Sequence, residues 1–65
     1  MKRTIRTNLW GNTSAFLGTR KVYEFGTDSR SANDWLKTGE WLRLDGLLAS
    51  VDINGTVSFR PYEKS

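Results

Sequence analysis

From Trp41 to Arg60 apolar and polar residues alternate in three short runs separated by glycine turns, the period-two pattern of half-buried strands. Turn chemistry sets the register of each pair. A two-residue Asn54-Gly55 loop would oppose Val51 to Ser58, whereas a three-residue loop of Ile53, Asn54 and Gly55, with Gly55 in the left-handed bulge position, opposes Val51 to Val57 and Ala49 to Phe59. The second choice keeps like with like. It also leaves Asp52 beside the turn, where its side chain accepts backbone hydrogen bonds.

One strand earlier, a two-residue Asp45-Gly46 loop opposes Leu44 to Leu47 and Leu42 to Ala49. The competing geometry is one bent strand with a bulge at Gly46. The hairpin predicts an antiparallel meander over 40–44, 47–52 and 56–60. Its inner face carries Leu42, Leu44, Leu47, Ala49, Val51, Val57 and Phe59, and its outer face carries Trp41, Arg43, Leu48, Ser50, Asp52, Thr56, Ser58 and Arg60.

Ahead of the meander, Ser31 as N-cap, Asp34 three residues on and Gly39 as a stop predict a short helix near 32–38. Trp35 and Leu36 must hold it against the sheet, since a helix this short does not persist alone. In the first 26 residues, Thr4 to Trp10 alternates as a strand and Gly11-Asn12 turns the chain. Lys21 to Phe25 reads as a second strand. Ala15 to Leu17 forms a third, with Gly18-Thr19 as the turn, or belongs to one long bent strand. The fold expected is α+β: one domain over 1–65, with five to six short strands in a small antiparallel sheet or partly open barrel, plus the helix. Pro61 closes the last strand without breaking the sheet.

Composition narrows the chemistry. The 65 residues contain no cysteine and no histidine, which excludes thiolate nucleophiles, imidazole bases, disulfides and ordinary zinc sites. The seven acids are scattered singly, so a binding protein without metal or cofactor is expected rather than an enzyme. No run approaches the roughly 20 apolar residues of a membrane span, and Arg6, Thr7 and Asn8 interrupt what would be a signal core. Without an export signal the Asn12 and Asn54 glycosylation triplets carry no weight, and the lack of cysteine fits a cytoplasmic location. Of the usual reinforcements for so small a scaffold, only oligomerisation remains, in the form of a homodimer.

The net charge of +3 is unevenly spread. Residues 1–23 hold Lys2, Arg3, Arg6, Arg20 and Lys21 with no acid, while the remainder holds five cations against seven acids. An acid-free basic stretch attracts polyanions. Trp10, Tyr23 and Trp41 fall on the polar phase of their strands, and exposed aromatics among cations are what single-stranded nucleic acid stacks upon. Lys2, Arg3, Arg6, Arg20 and Lys21, with Trp10 and Tyr23, are therefore the candidate nucleic-acid contacts. Neutralising three to five phosphates predicts a slope of log affinity against log salt of about −2 to −4.5.

Against this, a cluster of cations is commonly a solvated face, and a small chain needs its aromatics in the core. Trp35 is expected there. The alternative function is a protein-binding adaptor, regulator or inhibitor that uses Trp41, Arg43, Leu48 and Arg60, since Trp and Arg dominate interface hot spots. The sequence has no helix-turn-helix spacing, phosphate loop, zinc-ligand set or RNA-recognition motif to decide between the two.

Overall fold

Three hairpin loops of this chain share one backbone solution. At Asn8, Arg43 and Asp52 the backbone N–H donates to the carbonyl four residues on, of Asn12, Leu47 and Thr56, at 2.9, 2.8 and 3.1 Å. The glycine three residues on then donates back, from Gly11, Gly46 and Gly55 at 3.1, 3.0 and 2.9 Å. Each glycine has φ near +82°, a conformation that costs a residue with a Cβ but not glycine. In two of the loops the flanking side chain completes the turn. Asn8 Oδ1 accepts from the N–H groups of Trp10 and Asn12, and Asp52 Oδ1 accepts from those of Asn54 and Thr56.

The computed structural model describes residues 2–63, so Lys64 lies outside the described residues. The fold is α+β with six strands in two open antiparallel sheets and one helix. The first sheet, in order β1-β2-β3, is built from β1 (Arg3–Thr7), β2 (Thr13–Leu17) and β3 (Arg20–Gly26). Helix α1 (Ser29–Thr38) follows. The second sheet is β4 (Trp41–Leu42), β5 (Leu47–Val51) and β6 (Val57–Pro61), in that order.

Between β5 and β6 the register is the expected one, with Val51 opposite Val57 and Ala49 opposite Phe59. Between β4 and β5 it is not. Leu44, Asp45 and Gly46 make a three-residue loop like that at 53–55, so Trp41 faces Ala49 and Leu42 faces Leu48. One residue of slip turns every side chain of a strand over. Trp41 is 5% accessible, Leu42 is 45% accessible and Leu44 is fully exposed. The physical reason is area: a tryptophan buries more apolar surface than a leucine, and the glycine-bulge loop satisfies the backbone equally well.

The helix begins three residues earlier than expected. Asp28 rather than Ser31 is its N-cap, and Asp28 Oδ1 accepts from the Ser31 N–H at 3.1 Å. The stop at Gly39 is as expected, left-handed at φ 84°, with its N–H donating to the Trp35 carbonyl at 2.7 Å. Ala32 and Trp35 lie buried on the helix face that meets the sheets.

Strand β3 departs from simple alternation. Ala15 pairs with Tyr23 but Phe16 with Lys21, and Ser14 pairs with Glu24 but Thr13 with Gly26. Val22 and Phe25 are therefore bulged residues, and bulges let consecutive side chains reach the same side. Val22, Tyr23 and Phe25 all face inward. Tyr23 and Phe25 rings lie 4.9 and 4.8 Å from that of Trp41, so an aromatic cluster joins two sheets that share no ladder. The core consists of Ala15, Val22, Phe25, Ala32, Trp35, Trp41 and Ala49. Among the described residues no helix is long and apolar enough to cross a membrane.

Candidate nucleic-acid interface

The inward side of the first sheet carries Ile5 and Thr7 opposite Ala15 and Thr13, with the two threonine hydroxyls 3.0 Å apart. The outward side therefore carries Thr4 and Arg6 of β1, Ser14 and Phe16 of β2, and Lys21 and Glu24 of β3. Two cross-strand rows order it: Thr4, Phe16 and Lys21 in one, Arg6, Ser14 and Glu24 in the next. The Arg6 guanidinium carbon lies 5.7 Å from the centre of the Phe16 ring, within reach of a cation–π attraction. Phe16 is half-buried in the central strand, with Arg6 of one edge strand over its ring and Lys21 of the other as its register partner.

Glu24 is held in this face by three donors. The Ser14 hydroxyl donates to Oε1 at 2.7 Å, Lys21 Nζ lies 3.0 Å from the same oxygen, and the Gly26 N–H donates to Oε2 at 3.1 Å. The Ser14 hydrogen bond, with Lys21 and Gly26 behind it, holds the Glu24 carboxyl below its ordinary range.

The expected nucleic-acid residues fall into four groups. Arg6 and Lys21 lie on the outward face, Lys2 is exposed just before β1, and Arg20 is exposed at the β2–β3 hairpin, where it pairs with Leu17 on the inward phase. Arg3 turns the other way: its guanidinium donates to the carbonyls of Leu36 and Lys37 at 3.2 and 3.3 Å, at the C-terminal end of α1. Trp10 is 80% exposed, but in the β1–β2 loop rather than in a strand. That end lies about 13 Å along the strands from the Leu17–Arg20 pair at a rise of about 3.3 Å per residue. Tyr23, placed on the polar phase by simple alternation, is turned into the aromatic cluster by the bulges.

The expected partner-binding face is divided. Trp41 is in the core. Arg43 lies on Trp41's side of the second sheet, 4.4 Å over the Phe59 ring and 3.1 Å from Asp45, in a groove of about 320 Å³ lined also by Tyr23 and Val57. Leu48 and Arg60 lie on the opposite side with Leu42, where Arg60 makes a two-point ion pair with Glu40 at 2.6 and 2.8 Å. That pair holds the Glu40 carboxyl below its ordinary range.

No protein-family model, curated protein or solved structure matches the chain. The site therefore stands on its own geometry. Phe16 and Glu24 are the members that sequence reading passed over. Phe16 had a signal, since it alternates with Ala15 and Leu17 as Arg6 alternates with Ile5 and Thr7. Among the described residues no cluster of metal-binding side chains occurs.

Proposed function

We propose that this chain is a non-catalytic cytoplasmic module that binds single-stranded nucleic acid across the outward face of β1–β3. One observation carries the reading: Phe16 stands in the middle strand with Arg6 over its ring and Lys21 opposite it in register. An aromatic ring in a pleated face flanked by cations offers a stacking platform for a base and neutralisation for the phosphates on either side. Lys2 extends the positive charge at the start of β1, and Arg20 adds to it from the β2–β3 hairpin. A single strand suits this face better than a duplex, because the ring must meet an unstacked base.

The test is fluorescence anisotropy with mixed-sequence single-stranded DNA and RNA at low salt. Replacing Phe16 with Ala weakens binding by about 5- to 100-fold, the worth of one base–aromatic stack. Replacing Arg30, on the helix, leaves it unchanged. No binding by the unmodified protein removes the reading.

A second reading, a protein partner, is favoured by the loop tips. Leu9 is 97% exposed beside Trp10, and Leu44 is fully exposed on the matching β4–β5 loop. Both loops have glycine-bulge backbones closed by hydrogen bonds, so ordering them on contact costs little. The β4–β5 tip shares a groove with Asp28 and Arg30 at the start of α1. A pull-down after nuclease treatment tests this reading: a partner retained by the unmodified protein and lost from Leu9→Ser/Trp10→Ser supports it, and loss of all captured material on nuclease treatment removes it.

A further inference from the structure

We propose that Glu24 selects the base that stacks at Phe16, favouring one with an exocyclic amine at the Watson–Crick edge, cytosine over uracil. The inference rests on the reading of the outward face as a single-strand platform and adds what that face distinguishes.

Glu24 lies in the row next to Phe16. Its cross-strand partner Ser14 is two residues along β2 from Phe16, a spacing of about 6.6 Å on the same side of the sheet. A base lying on the Phe16 ring thus presents its edge towards the carboxylate. Arg6 closes the row from the far strand.

The carboxylate is fixed and partly used. Oε1 already receives the Ser14 hydroxyl and the Lys21 ammonium, whereas Oε2 receives only the Gly26 N–H. An ionised carboxylate has about two acceptor sites per oxygen and no donor. Oε2 therefore keeps room for one more donor and repels an incoming acceptor. Cytosine offers an amine at ring position 4, where uracil offers a carbonyl oxygen, and the two rings stack alike. A carboxylate accepting from the cytosine amine is an established form of base discrimination. The same donors that hold Glu24 in place keep it ionised at neutral pH.

The selectivity comes with a cost in general affinity. Glu24 shares Lys21 with the phosphates and places one negative charge among Arg6 and Lys21. Removing that charge raises binding to a strand without the amine while erasing the preference, two effects that a merely structural residue does not produce.

The experiment compares oligodeoxycytidine with oligodeoxyuridine, each of roughly ten nucleotides to cover one binding face, by anisotropy at fixed salt. The unmodified protein binds the cytidine strand about tenfold more tightly. Glu24→Gln, whose amide both donates and accepts, brings the two affinities to within about twofold and raises that for the uridine strand. Ser14→Ala, which frees the carboxylate to swing, lowers the preference part of the way. Equal affinities for the unmodified protein, or a preference that survives Glu24→Gln, overturn the inference and leave the platform reading standing. Absence of binding to either strand overturns both.

Discussion

The guanidinium of Arg3 donates to the carbonyl oxygens of Leu36 and Lys37, so a cation from the first strand closes the last turn of the helix. The final carbonyls of a helix have no partner within it and carry its negative end. Arg3 satisfies two of them from outside. It thereby ties the N-terminal strand to α1, and its role is structural where that of Arg6, three residues on, faces solvent.

Replacing Arg3 with Ala is expected to lower stability by about 1–2 kcal/mol, the worth of hydrogen bonds from a charged donor at a partly exposed site. Replacing Arg6 is expected to cost less than about 0.5 kcal/mol. Urea titrations with equal slopes and separated midpoints check both.

Trp41 and Leu44 exchange the roles that alternation alone suggests. Trp41→Ala removes the ring that touches Tyr23 and Phe25 and is expected to cost about 3–5 kcal/mol, most of what a domain this small has to lose. Leu44→Ser is expected to change stability by less than about 0.5 kcal/mol. Near-ultraviolet circular dichroism reports the outcome: the first variant loses its aromatic signal at room temperature and the second keeps it.

Gly46 and Gly55 share a left-handed backbone but differ in surroundings. A Cβ at Gly46 meets open space, while one at Gly55 would stand 3.3 Å from the Val22 carbonyl oxygen. Gly46→Ala is expected to cost about 1 kcal/mol from backbone strain alone. Gly55→Ala costs more, and the order of the two thermal midpoints tests this.

Stability against acid follows from three carboxylates. Glu24 is held below its ordinary 4.5 by Ser14 first and then Lys21, Glu40 below 4.5 by Arg60, and Asp28 below 3.8 by the backbone N–H of Ser31. A carboxyl with a lowered folded pKa stabilises the fold fully above its unfolded value and loses that contribution as pH falls through the folded one. The thermal midpoint is therefore expected to be level from neutral pH down to about 5 and to fall below about 4.5. In Glu40→Gln the fall is shallower.

How much of this was legible in the chain depends on what local residues encode. The β5–β6 register was readable because Asp52 and Gly55 specify one loop and the alternative mixes faces. The β4–β5 register was not, because Arg43 to Leu47 satisfies either loop and the choice is made by Trp41 reaching Tyr23 and Phe25 across the molecule. Tyr23 was misplaced for a related reason: the bulge at Val22 has no glycine or proline beside it to announce it, and Gly26, next to the bulge at Phe25, reads equally well as the end of the strand. The helix start moved because Asp28 and Ser31 are both good caps, one turn apart. The basic stretch was visible as composition, but the removal of Arg3 from it depends on where α1 ends in space. Phe16 beside Arg6 follows from strand alternation once β1 and β2 are paired.

The most direct test of the account is the salt dependence of single-strand binding. With Arg3 engaged by the helix and Arg20 opposite Leu17 on the inward phase of the sheet, Lys2, Arg6 and Lys21 remain for phosphates, and about three neutralised charges give a slope of log affinity against log salt of about −2 for a single strand. Arg6→Ala is expected to make that slope shallower by about 0.7, and Arg3→Ala to leave it unchanged. Affinity that does not vary with salt, or a slope altered by Arg3→Ala and not by Arg6→Ala, would contradict the outward face of β1–β3 as the binding surface.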